Sequence, residues 1–199
     1  MNCSTSLSSM KASAPSPFRH AAAAVGICFL AATMTPLATR ADALAPSQAV
    51  NIDRAAPVVF ETSIEIAAPP SAVWAALIDV GLWPSWHQVI DTAELRGPTA
   101  PGSVIHWTTS GMTINSRLTR VEPGRALDWD GSDGGMRGLH SWRLEPTSGG
   151  TRLVNAESMS GGFAAANPAE ARRMLTFMLE TWNQRLKAHL EKAAVADSH

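Results

Sequence analysis

The sequence predicts an α+β domain: a curved antiparallel sheet of about six to seven strands wrapped around one long C-terminal helix, with two short helices after the first strand. Three observations carry this. From Val58 onward, apolar and polar residues alternate with a period of two. Further alternating segments follow, separated by Gly- and Pro-bearing turns rather than helical crossovers, so neighbours pair antiparallel. The chain closes on an apolar stripe at helical spacing.

The elements follow in order. Val58, Phe60, Thr62, Ile64 and Ile66 form one side of the first strand, which Ala67-Ala68-Pro69-Pro70 stops. Ser71–Asp79 reads as a short helix, with Val73, Trp74, Leu77 and Ile78 on one face and proline at its start. A second short helix or turn holds Trp83-Pro84-Ser85-Trp86-His87. Strands are predicted over 90–96, 103–109, 112–122, 125–130, 136–145 and 151–159. Ser110-Gly111 and Pro123-Gly124 supply hairpin turns, while 131–135 and 146–150 read as loops. Asn167-Pro168-Ala169-Glu170 opens the last helix with an N-cap, a proline and an acidic residue. Leu175, Leu179, Trp182, Leu186 and Leu190 repeat along one face, widened by Met174 and Met178. A helix of about 25 residues is roughly 38 Å long, enough to cross a sheet.

The first 43 of the 199 residues read as a targeting segment. Lys11 and Arg19 precede an apolar stretch from Ala21 to Leu37, and Ala41-Asp42-Ala43 places a cleavage site after Ala43. The expected destination is periplasmic or secreted. A retained membrane anchor is the alternative, although Gly26 and Pro36 interrupt a stretch already short of the ~20 residues a span needs. Residues 44–56 read as a linker and 57–195 as the domain. Both cysteines, Cys3 and Cys28, fall in the leader, so the processed chain would have neither disulfide nor thiol chemistry.

Processing at Ala43 leaves 13 basic and 16 acidic side chains, a net charge of −3, with no basic run. Nucleic acid is therefore not an expected partner. The histidines are scattered without metal-ligand spacing, no glycine-rich loop opens a helix, and no nucleophile elbow is present. No metal, cofactor or stable membrane insertion is expected, and the oligomeric state stays open.

Strand alternation assigns faces. Pairing Trp107 with Ile114, Ile105 with Ser116, Leu118 with Trp129, Arg120 with Leu127, His140 with Asn155 and Trp142 with Leu153 collects one mostly apolar face. It holds Ile105, Trp107, Ile114, Ser116, Leu118, Leu127, Trp129, His140, Trp142, Leu153, Asn155 and Glu157, and the opposite face holds His106, Arg117, Asp128, Asp130 and Arg143. Apolar walls with sparse polar groups suit a small-molecule pocket. Trp86 stands at its expected rim, and Met159, Phe163, Met174 and Met178 are expected to form an adaptable wall.

Several stretches are similar to one superfamily. Ile64-Glu65-Ile66-Ala67-Ala68-Pro69-Pro70-Ser71-Ala72-Val73-Trp74, the Asp79–Trp86 segment with its two tryptophans, and Arg120–Leu127 occur in its order. So do His140-Ser141-Trp142, Gly149-Gly150-Thr151-Arg152 and Glu157–Gly161. Together they resemble the START/Bet v 1-like superfamily (SRPBCC), described as polyketide cyclase/dehydrase and lipid transport, over about residues 58–193. The resemblance implies a helix-grip fold holding a hydrophobic, lipid-like or aromatic ligand. The expected ligand-binding residues are Trp86, Ile105, Trp107, Ile114, Ser116, Leu118, Trp129, His140, Trp142, Asn155, Glu157 and Met178. A carrier outside the cytoplasm is the first reading. A cyclase- or dehydratase-like enzyme using His140 and Glu157 as acid and base is the second, and an interaction module with a filled core is the third. His140 bonded to Asn155 or to backbone would serve the sheet alone.

Overall fold

A computed structural model describes residues 51–133 and 135–196; the expected leader, its cleavage site and most of the linker lie outside them. The elements run β1 (Val58–Ile66), α1 (Pro70–Ile78), a 3-10 turn (Val80–Leu82), α2 (Trp83–Trp86), β2 (Ile90–Arg96), β3 (Val104–Thr109), β4 (Met112–Glu122), β5 (Ala126–Asp133), β6 (Met136–Thr147), β7 (Gly150–Gly161), α3 (Gly162–Ala166) and α4 (Pro168–Ala196). The seven strands form one antiparallel sheet in the order β1-β7-β6-β5-β4-β3-β2. Each strand from β2 onward pairs with its successor. β1 is carried to the far edge beside β7, so the helices between β1 and β2 span the concave side.

Among the described residues no helix is long and apolar enough to cross a membrane. α4 lies over the concave side, packed mainly on β1. Its end is tied there by Lys187, whose Nζ donates to the Glu65 carbonyl at 2.7 Å, and by Glu191, whose Oε1 accepts from Ala67 N–H at 2.9 Å. Of the predicted stripe, Leu175, Leu179, Trp182 and Leu186 are buried, and Leu190 is half-buried near the helix end.

Three departures from the expected layout have local causes. β5 runs on through Gly131-Ser132-Asp133, read as loop from its composition, because β4 and β6 pair with it on both sides. β6 runs through Pro146 to Thr147, leaving Ser148-Gly149 as the turn. The last pair between β5 and β6 is Ala126 with Arg143, so Pro146 sits where β6 overhangs β5 and a missing N–H is tolerated. The shorter loop moves the β6–β7 register by two residues: His140 faces Glu157, and Trp142 faces Asn155. A shift of two keeps every side chain on its face. In β4, a bulge between Leu118 and Arg120 sets Arg120 against Asp128 and Val121 against Leu127, which turns Arg120 outward.

The convex face is partly covered too. Asn51 N–H donates to Ser141 Oγ at 3.3 Å, Asp53 N–H to Ser158 Oγ at 3.0 Å, and Ile52 packs on Val154 and Ala156. The Ser141 hydroxyl donates to Asp128 Oδ1 at 2.7 Å. Burial pushes the Asp128 carboxyl up, opposed by that hydrogen bond and the Arg120 charge.

Candidate ligand site

Alternation brings Ile105, Trp107, Ser116, Leu118, Leu127, Trp129, His140, Trp142, Asn155 and Glu157 to the concave face, where all ten are buried. The space above them is largely aromatic. Trp182 of α4 has its ring centre 5.1 Å from Trp83, 5.6 Å from Trp86, 5.7 Å from Trp142 and 6.3 Å from Trp107. Trp129 joins through Trp83 at 6.1 Å and Trp142 at 6.3 Å. These six rings form one cluster between sheet and helix, several edge to face as the aromatic quadrupole favours. Trp83 also donates its Nε1–H to the Leu77 carbonyl at 3.1 Å, so it anchors the turn after α1.

Beside the cluster, Ile105 and Leu118 line a cavity of about 10 Å³ with Ile78, Val80, Leu95, Thr99 and Leu127. That is room for about one water molecule.

Polar groups gather where β5, β6 and β7 run on toward α3. His140 Nδ1 and Glu157 Oε2 are 2.9 Å apart, and the pair is buried. The His140 ring stacks on Trp129 at 4.3 Å and on Trp142 at 5.2 Å, within 20° of parallel to both. Its Nε2 is buried and has no hydrogen-bond partner among the described residues. The next cross-strand row has little side chain: Ser116, Gly131 and Gly138 are neighbours on β4, β5 and β6. A Cβ on Gly138 would lie 2.6 Å from Glu157 Oε1, so the bare backbone there is what lets the carboxylate reach His140. Gly138→Ala is expected to displace Glu157 and break the pair, at a cost of about 1–3 kcal/mol. Urea unfolding measures it, and the loss should shrink when Glu157 is already alanine.

Asn155 leaves this group. Its amide donates to Asn183 Oδ1 at 3.0 Å and more weakly to the Leu179 carbonyl at 3.4 Å, tying β7 to α4, rather than pairing with His140. Ser116 Oγ accepts from Trp107 Nε1–H at 3.1 Å. Ile114 and Met178 are half-buried. The expected methionine wall divides: Met159 is buried with Val58, Leu175 and Leu179, whereas Phe163 and Met174 are exposed. Short α3 turns Phe163 outward.

Three contributors had no sequence signal. Gly131 and Gly138 matter only once register places them inward. His87 is buried beside Trp182, ring centres 4.3 Å apart, and neither ring nitrogen has a partner among the described residues. Burial lowers its pKa to about 4, opposed by the residue's own backbone and helped by the Arg185 charge. Among the described residues, no three His, Cys, Asp or Glu side chains stand together as metal ligands do.

A sheet gripping one long helix over an aromatic, sparsely polar interior has counterparts among known proteins. Residues 57–191 match the family described as polyketide cyclase/dehydrase and lipid transport. The chain belongs to that family. No curated protein matches it. A protein from Rhodobacter sphaeroides is similar at 25% identity and a TM-score of 0.56, over 73% of this chain and 99% of that one. A START superfamily protein from Mycobacterium smegmatis has 12% identity and a TM-score of 0.59, over 68% and 98%. The di-domain ARO/CYC StfQ from the steffimycin biosynthetic pathway has 18% identity and a TM-score of 0.57, over 69% of this chain and 51% of StfQ. The last two likenesses establish the shared fold. Family membership is compatible with hydrophobic ligand binding or cyclase-like chemistry.

Proposed function

We propose that this member of the polyketide cyclase/dehydrase and lipid transport family binds a compact apolar molecule bearing one hydrogen-bonding group, at the concave-face corner built around His140 and Glu157. The observation that carries this is the buried His140–Glu157 pair, 2.9 Å apart, beside a row of Ser116, Gly131 and Gly138. A buried polar pair in aromatic surroundings is costly to keep, and an orienting contact to a ligand is a reason to keep it. The six tryptophans favour a ring-sized ligand over a long acyl chain, which would have to displace them. Export to the periplasm or medium belongs to the same proposal; it is supported by the charged, apolar and Ala-x-Ala segments before residue 44. Cell fractionation and N-terminal sequencing test that part.

Native mass spectrometry of gently purified protein, with tryptophan-fluorescence titration of small aromatic compounds, tests the binding. Saturable quenching is expected, with affinity lowered about tenfold in His140→Ala, roughly the value of one buried hydrogen bond. Protein that is always empty and never quenched would refute it.

A second reading has its own observation. A carboxylate on Nδ1 and an uncommitted Nε2 is how an imidazole is oriented to accept a proton. As an enzyme, the protein would take a proton from an enolisable or hydroxylated ligand onto Nε2. Deuterium exchange at the activated methylene of 2-tetralone should then be faster with the native protein than with His140→Gln. Equal rates leave the binding role alone.

A further inference from the structure

The charges of this sheet are sorted by face. The arginines on strands, Arg96, Arg117, Arg120, Arg137, Arg143 and Arg152, all occupy outward register positions. Among the described inward side chains, Glu157 is the carboxylate, and neither lysine nor arginine accompanies it. Among the described residues its side-chain partner is His140. A ring that donates from Nδ1 to Glu157 presents Nε2 as an acceptor. The corner then offers two strong acceptors, His140 Nε2 and Glu157 Oε1, which lies over Gly138, beside the Ser116 hydroxyl and the unpartnered Trp142 Nε1–H. Around them are the indole rings of Trp129 and Trp142.

Resting on the ligand-binding reading above, we infer that the group this corner selects is a protonated amine on an apolar, ring-sized body. An ammonium supplies the donors that both acceptors lack and neutralises Glu157 through charge-assisted hydrogen bonds. The surrounding indoles add attraction for a cation that no alcohol or acid receives. A carboxylate ligand would meet Glu157 as a like charge with no inward basic side chain to offset it.

The test uses the purified full chain and four probes of one shape: benzylamine, benzyl alcohol, benzoate and toluene, titrated calorimetrically at neutral pH. Benzylamine is expected to bind about tenfold more tightly than benzyl alcohol, toluene more weakly than the alcohol, and benzoate weakest. Glu157→Gln keeps the side-chain shape and should bring amine and alcohol within about twofold, a charge-assisted bond reduced to a neutral one. Benzyl alcohol or benzoate binding as tightly as benzylamine overturns the amine assignment and leaves the ligand-binding reading standing, as does a preference that survives Glu157→Gln. Failure of all four to bind overturns the ligand-binding reading as well.

Discussion

Replacing Trp182 with alanine is expected to cost the fold about 3–5 kcal/mol, the range for truncating a large buried aromatic. Its ring centre lies within 6.3 Å of Trp83, Trp86, His87, Trp107 and Trp142, so one deletion removes contacts to α2, to both halves of the sheet and to the turn after α1. The neighbours cannot close the gap cheaply, since Trp83 is held by its bond to the Leu77 carbonyl and Trp142 is fixed on a central strand. Urea denaturation should show a lower midpoint with an unchanged slope. The void left is apolar, so saturating indole should recover part of the loss by binding the folded state. A loss under about 1 kcal/mol would mean that the six rings do not pack as one body.

The second large effect is acid sensitivity. The folded protein holds the His87 pKa at about 4, while an unfolded chain titrates at the ordinary histidine value of 6.5. Between those values the unfolded state binds the proton and the folded state does not. Stability from this group is intact above about pH 6.5 and is lost as pH falls toward about 4, by up to about 3 kcal/mol. Asp128 acts in the opposite sense. Burial raises its carboxyl above 3.8, so the folded state keeps that proton to higher pH and the contribution is lost as pH rises through the raised value. Thermal unfolding from pH 7.5 to 4.5 separates the two. His87→Phe should flatten the acid limb, and Asp128→Asn should steepen it. An unaltered acid limb in His87→Phe would refute the assignment.

What the sequence made legible follows from periodicity. Faces were readable because alternation is a local property: Trp107 with Ile114 and Leu118 with Trp129 pair as the Ser110-Gly111 and Pro123-Gly124 turns imply. Partners across β6 and β7 were not, because register there depends on where the turn falls, and Pro146 disguised two residues of strand as loop. The distinction mattered for chemistry: a shift of two kept His140 inward yet exchanged Asn155 for Glu157 as its partner. The depth of the aromatic cluster was also hidden. Each tryptophan reads as core or pocket wall by itself, and only the fold shows Trp83, Trp86, Trp107, Trp129, Trp142 and Trp182 meeting.

The two serine contacts that fasten Asn51 and Asp53 have a practical corollary. They bring the backbone onto the sheet from its outer side, opposite the long helix. A fluorophore attached at exposed Asn51 would therefore stand on the far side of the sheet from the indole-lined interior. A probe there leaves the ligand corner unobstructed, whereas one placed late in α4 would load the helix packed over the concave side.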